Sequence, residues 1–303
     1  MPVQTSATTA THHVAVPDRL YAGYIFDLDG TIYLGNTLLP GVSRLITALR
    51  QLGKRVVFLS NNPTRDVAMH AQKLERLGLP TPAAAIVTTV FTTTQWLLQN
   101  APHAVVYPIA EEPLIRSLRQ HGIRISEDPK KIDLVIASYD RTLVYRKLQI
   151  AFEAIYVHRR ARLICTNADH FCPFPDGHGE VDAGAVIAAI ENSTGCRLAV
   201  NCGKPSPVML ETIMNVMQLG ARDCIVTGDR LYTDIRMGID AGMDTALVFT
   251  GETTPALLAG WPAEARPTYT LDRIDRLLPP ALWEEFGWAD TDGCALPADP
   301  VQT

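Results

Sequence analysis

The chain of 303 residues can bury one large or two modest hydrophobic cores. Apolar residues make up 47% and charged residues 19%, and the net charge of -5 offers no basic footprint for nucleic acid. No apolar stretch is long enough to span a bilayer, and residues 1–20 lack the apolar heart of a secretion signal, so they are expected to form a disordered leader.

Strand-like runs then alternate with helical periodicity, the pattern of a parallel sheet covered by helices. Tyr24–Phe26 reads as the first strand. Val42, Leu45, Ile46, Leu49 and Leu52 recur at helical spacing and stop at Gly53. Arg55–Leu59 reads as a second strand ending in Ser60-Asn61-Asn62-Pro63-Thr64, and Asp66–Leu77 as a helix stopped by Gly78. The same rhythm returns downstream: helix over Val208–Leu219, strand over Cys224–Val226, helix over Asp234–Ala241, strand over Thr245–Phe249.

Between these halves lies a stretch with its own alternation. Ala104–Tyr107, Leu134–Ala137 and Leu163–Cys165 look like strands, and Pro113–His121, Tyr145–Arg159 and Val186–Asn192 like helices. A crossover of this length is no loop within one compact domain. The expected organisation is a discontinuous core over residues 21–86 and 198–288, an inserted α/β cap over 87–197, and a flexible tail over 289–303. Trp283 to Trp288 is read as a segment packed on the core. The six cysteines (Cys165, Cys172, Cys196, Cys202, Cys224 and Cys294) form no C-x-x-C pair, which favours free thiols in a reducing cytoplasm.

Polar clusters follow strand-like runs or precede helices. They are Asp27 and Asp29 within Asp27-Leu28-Asp29-Gly30-Thr31, Ser60-Asn61, Lys204 within Gly203-Lys204-Pro205, and Asp229 and Asp234 within Gly228-Asp229-Arg230-Leu231-Tyr232-Thr233-Asp234. Ligands of open parallel sheets bind at the carboxyl ends of strands near a switch point, so residues far apart in sequence converge there. Paired acids in such a place are costly unless something positive lies between them, and a Mg²⁺ ion with a phosphoryl group fits.

Asp27, ionised at neutral pH, suits nucleophilic attack on phosphorus, and Asp29 suits general acid and base work. Asp27 and Asp229 suit direct coordination of Mg²⁺, the Asp29 backbone carbonyl a third position, and Asp234 contact through water. Lys204 offsets the charge, while the Ser60 hydroxyl and the Asn61 backbone N–H are expected to cradle phosphoryl oxygens at a helix start. Taken singly, each residue has a plainer reading: Asp29-Gly30 as a turn, Lys204 as a solvated lysine, Asp234 as a helix cap.

Together these motifs resemble the haloacid dehalogenase (HAD) superfamily of Mg²⁺-dependent phosphohydrolases, and within it the p-nitrophenyl phosphatase-like branch of capped sugar phosphatases. Leu59-Ser60-Asn61-Asn62-Pro63-Thr64, Thr166-Asn167-Ala168-Asp169, Ala241-Gly242-Met243-Asp244-Thr245 and Leu247-Val248-Phe249-Thr250-Gly251 add to the likeness, which spans Tyr24 to Glu252. The resemblance implies a Rossmann-like parallel sheet with an inserted α/β cap. Its residue roles are Asp27 as nucleophile, Asp29 as acid/base, Asp229 as Mg²⁺ ligand, Asp234 as outer-sphere ligand, and Lys204 and Ser60 as phosphate anchors. Asp29 argues for phosphate rather than a haloacid, and the missing membrane helices argue against the ATPase members.

The expected substrate is a small phosphorylated metabolite. Thr31 of the first motif, and Asp169 and Cys172 of the cap loop Asp169–Glu180, are its candidate contacts. Cys172 stands where some relatives carry a histidine, so the leaving group stays open. Asp182 is read as a helix cap before a substrate contact. Phosphotransfer to another acceptor and a non-catalytic binding module remain as alternatives, and so does a homodimer paired through the caps.

Overall fold

The computed structural model describes residues 15–174 and 178–288; the expectations for residues 1–14, for the tail 289–303 with Cys294 and for residues 175–177 of the cap loop lie outside the described residues. Strand β1, Gly23–Asp27, opens the fold, followed by a short hairpin of β2 (Tyr33–Leu34) and β3 (Thr37–Leu38). Helix α1 (Val42–Gln51), strand β4 (Arg55–Ser60), helix α2 (Val67–Arg76) and strand β5 (Ile86–Thr88) come next.

The chain then passes through α3 (Thr89–Asn100), β6 (Val105–Ile109), α4 (Glu112–Gln120), β7 (Arg124–Ile125), β8 (Leu134–Ala137), α5 (Tyr145–Phe152) and β9 (Arg162–Cys165). A hairpin of β10 (Phe171–Pro173) and β11 (Gly179–Val181) precedes α6 (Ala183–Thr194) and β12 (Val200–Asn201). The return leg is α7 (Pro207–Met217), β13 (Cys224–Gly228), α8 (Arg236–Asp240), β14 (Asp244–Val248), α9 (Pro255–Ala259) and β15 (Tyr269–Leu271).

Two parallel sheets result. The first runs β15-β14-β13-β1-β4-β5 and the second β12-β9-β8-β6-β7. In the first, the chain leaves β1 towards β4 and β5 on one side and later fills β13, β14 and β15 on the other. The strand order therefore reverses at β1, where ligands of such sheets collect.

Side-chain alternation explains why both faces are covered. Tyr24 and Phe26 of β1 pack with Leu45, Ile46 and Leu49 of α1, whereas Ile25 packs on the opposite face with Met209, Ile213 and Met217 of α7. In the second sheet, Val135, Ala137 and Leu163 meet the α5 and α6 side, while Leu134, Ile136 and Ile164 meet Val90 and Leu97 of α3 and Leu114 and Leu118 of α4.

Some expectations need correction. The second sheet reaches Asn201 through β12, and Val87-Thr88 belongs to the first sheet, so the crossings lie after Thr88 and after Asn201 rather than at 87 and 197. Both strands are too short to show a period. The leader is structured from Ala15, which bridges Thr270, while Arg19 pairs with Asp244 at 2.8 Å. Helix α3 was not foreseen, because its threonines lower helix propensity; burial of Val90 and Leu97 overrides that. Trp283 is buried on the core, its indole N–H donating to the Leu278 carbonyl at 2.8 Å, with Phe286 and Trp288 packed alongside. Among the described residues no helix is long and apolar enough to cross a membrane.

Candidate active site

The carboxyl ends of β1, β4 and β13 bring the predicted residues to one place. Register sets Phe26 beside Thr227 and Asp27 beside Leu59, so Asp27 closes β1 next to the turn that follows Gly228. Asp27, Asp229 and Asp234 are all buried, and one carboxylate oxygen from each lies within 4.8 Å of the others. Lys204, arriving from the loop before α7, places Nζ 2.5 Å from Asp27 Oδ1 and 2.6 Å from Asp234 Oδ1. It is thus no solvated lysine, and Asp234 is no helix cap: it sits inside a π-turn, Leu231–Ile235, that precedes α8.

Backbone shape makes this crowding possible. Gly30 has φ +87°, and a Cβ there would stand 2.7 Å from Asp229 Oδ2. A Cβ on Gly251 would come even closer to that oxygen. The Glu252 amide donates to Asp229 Oδ2 at 2.7 Å, whereas Oδ1, also buried, has no partner.

Burial pushes the Asp27 carboxyl well above the usual carboxylate range, against the opposing charge of Lys204, with Asp234 and Asp229 adding to the rise. It pushes Asp229 up to about 6, opposed by Arg230. Burial also works against the Lys204 ammonium, but Asp234 and Asp27 outweigh it and hold the lysine charged. Three acids around one ammonium leave excess negative charge, and Asp229 Oδ1 is buried without a hydrogen-bond partner. That donor set fits a divalent cation of the oxygen-seeking kind.

Asp29 lies outside this cluster. Its carboxylate is 49% exposed, with Tyr33 Oη 3.5 Å from Oδ2 and Lys73 Nζ 3.9 Å from Oδ1. The Thr31 hydroxyl is buried without a hydrogen-bond partner. Ser60 Oγ accepts from the Asn62 amide at 3.2 Å. Ser60 and Asn61 do not lie at a helix start: α2 begins at Val67, with Asp66 as its cap, because Pro63 and the turn at Thr64 delay the helix.

The Asn61 side chain has a larger part than its backbone suggested. Its Oδ1 accepts from the Lys204 amide at 2.8 Å, and its Nδ2 donates to Asp169 Oδ2 at 2.7 Å. Asp169, the candidate substrate contact of the cap, is buried, with Oδ2 also accepting from Asn167 Nδ2 at 2.9 Å and Oδ1 paired with Arg230 at 3.3 Å. Both of its oxygens are committed to tying the two sheets together.

Asp182 caps α6 and accepts from Asn167 Nδ2 at 3.0 Å. Cys172 is half-buried on β10, its thiol pushed up to about 11 by burial first and then by the charges of Asp182 and Asp29.

Sequence reasoning passed over Arg230, Lys73 and Tyr33. Arg230 sits beside Asp229 in a quoted motif and pairs with Asp169 and with Glu252 at 2.9 Å. Lys73 left only a cation on the inner face of an amphipathic helix as its signal.

Residues 24–124 match the haloacid dehalogenase-like hydrolase family, and residues 201–277 match the HAD-hydrolase-like family. The sugar-phosphatase AraL of Bacillus subtilis is 36% identical over 253 residues, covering 84% of this chain and 90% of that protein. The 5'-nucleotidase YutF of the same organism is 31% identical, covering 86% of this chain and 99% of that one. A crystal structure of 4-nitrophenylphosphatase from Thermotoga maritima superimposes with a TM-score of 0.79 at 32% identity, covering 85% of this chain and 96% of that one.

The parallel α/β core gathers these acids and the lysine at its switch point, and with the phosphatase relatives this makes the chain a phosphoric monoester hydrolase. The chain belongs to the haloacid dehalogenase-like hydrolases, in their p-nitrophenyl phosphatase-like branch.

Proposed function

We propose that this protein is a Mg²⁺-dependent phosphatase that hydrolyses phosphate monoesters of small sugars or similar metabolites through an aspartyl phosphate on Asp27. The observation that carries the reading is the buried cluster of Asp27, Asp229 and Asp234 around Lys204, with Asp229 Oδ1 unpartnered. Asp27 and Asp229 would hold the ion directly, with the Asp29 backbone carbonyl, and Asp234 through water. Bound there, Mg²⁺ supplies positive charge to the phosphoryl oxygens.

The remaining steps belong to the chain. An Asp27 carboxylate oxygen attacks phosphorus, the ester P–O bond breaks, and the Asp29 carboxyl passes its proton to the departing alkoxide oxygen. In the second half Asp29 takes a proton from water, the water oxygen attacks phosphorus, and the bond to Asp27 breaks to release inorganic phosphate. Lys204 favours the ionised form of Asp27 that the first step needs. The Ser60 hydroxyl, the Asn61 amide and Thr31 would meet phosphoryl oxygens. The cap hairpin, with Phe171 and Phe174 exposed, would read the leaving group. The names of the relatives, a sugar phosphatase and a nucleotidase, favour leaving groups that carry a sugar. The described cysteines are free, in keeping with a reducing compartment such as the cytoplasm.

The test is phosphate release from p-nitrophenyl phosphate and a panel of sugar phosphates, with and without chelator and without any acceptor sugar. Multiple turnover in excess chelator would overturn the metal requirement, and dependence on an acceptor would favour phosphotransfer.

A further inference from the structure

Among the described residues two lysines are buried, Lys204 and Lys73. The first belongs to the carboxylate cluster. The second, on α2, is left over, and burying an ammonium is costly unless it is paired. Its Nζ lies 3.4 Å from the centroid of the Tyr33 ring and 3.9 Å from Asp29 Oδ1. Tyr33 is itself buried on β2, and its hydroxyl stands 3.5 Å from the other Asp29 oxygen. A cation and a phenol therefore bracket the two oxygens of one carboxyl, and the cation is fixed over the face of the same phenol.

Both approaches are longer than a hydrogen bond at its best. The carboxyl is guided without being locked, as suits a group that must hand over a proton and later take one up. Neither side chain touches the carboxylate cluster, and neither is needed to fill a core that methionine and phenylalanine would fill as well. Like charge from Arg65 and Arg76 adds to the cost of keeping Lys73 charged there.

We propose that Lys73 and Tyr33 are positioning residues that hold the Asp29 carboxyl at the mouth of the site, where the ester oxygen of the substrate departs. The inference rests on the reading of Asp29 as the general acid. Lys73 steers one oxygen by charge, Tyr33 steers the other through its hydroxyl, and the ring of Tyr33 keeps the ammonium in place.

The experiment compares two esters. A p-nitrophenolate leaves with little need of a proton, whereas the alkoxide of glycerol phosphate needs one, and kcat/KM reports the step in which each departs. Lys73→Met should lower kcat/KM for glycerol phosphate about tenfold more than for p-nitrophenyl phosphate, within the range that general acid catalysis supplies. Inhibition by inorganic phosphate should stay unchanged. Lys73→Arg should restore part of the difference, and Tyr33→Phe, which keeps the ring, should show a smaller selective loss should Lys73→Met fold poorly.

Equal losses on both esters in Lys73→Met and Tyr33→Phe would mean a structural role and overturn the proposal. Asp29→Asn separates the two readings: if it too shows no preference between esters, the acid role of Asp29 fails first. If it alone discriminates, Asp29 is the acid and the positioning inference is wrong.

Discussion

The Asn61 side-chain amide donates to Asp169 Oδ2 at 2.7 Å, joining the end of β4 in the first sheet to the loop after β9 in the second. Asn61 Oδ1 meanwhile holds the Lys204 amide at 2.8 Å, so one side chain links the cap to the residue that pairs with Asp27. Asp169→Ala would take one partner from this amide, which keeps the Lys204 carbonyl at 3.4 Å, one from the Asn167 amide, which keeps Asp182, and one from Arg230, which keeps Glu252. We expect a loss of about 3 kcal/mol, the scale of breaking a buried ion pair, measured by urea denaturation. A loss below about 0.5 kcal/mol, that of an ordinary surface substitution, would mean that the two sheets do not depend on this tie.

Asp27→Asn is expected to abolish turnover, by roughly 10⁴-fold or more, since the attacking group is gone. The fold should persist, because Lys204 keeps Asp234 at 2.6 Å. Burial outweighs the pairing at Asp27, so the metal-free variant should melt no lower than the parent chain. Calorimetry and intact mass after incubation with substrate check both halves. A phosphorylated Asp27→Asn protein would refute attack by this residue.

Metal binding should appear as stability before any assay of activity. An ion that binds only the folded chain adds about 2.7 kcal/mol at a hundredfold excess over its Kd. Raising Mg²⁺ should therefore raise the melting temperature, and chelator should reverse it. Asp229→Asn, which alters the unpartnered Oδ1, should remove most of that rise. An undiminished rise in the variant would move the ion elsewhere.

Acid should weaken the fold through His70. The ring is buried on α2, neither nitrogen has a hydrogen-bond partner, and burial pushes it down to about 3, with Arg65 and Lys73 adding to the fall. Between its unfolded value near 6.5 and the folded value, the unfolded chain binds a proton that the native one does not. The contribution is thus whole above 6.5 and shrinks as pH falls, by at most about 1.4 kcal/mol per pH unit. His70→Leu should flatten the urea-midpoint profile across that window. A profile as steep as before would point to other groups.

Much of the architecture was legible because its signals are local. Alternating Tyr24, Ile25 and Phe26 and the helical recurrence of Val42, Leu45, Ile46 and Leu49 each announce an element within one window. The motif acids were legible for another reason: Asp27 and Asp229 stand where strand-like runs end, a glycine adjoins Asp29 and Asp229, and Asp234 belongs to the same motif as Asp229. The short β12 and β15 were not, since two or three residues carry no period and pair only because a neighbouring strand edge is open.

The order of residues along the chain therefore determined the family, the two alternating α/β regions and which acids would meet. Tertiary structure alone decided what those acids touch: that Lys204 bridges Asp27 and Asp234, that Asp169 ties instead of exposing its carboxylate, and that Lys73 reaches Asp29. Periodicity follows from forces between near neighbours, whereas desolvation and charge pairing depend on distances between segments that only the folded chain brings together.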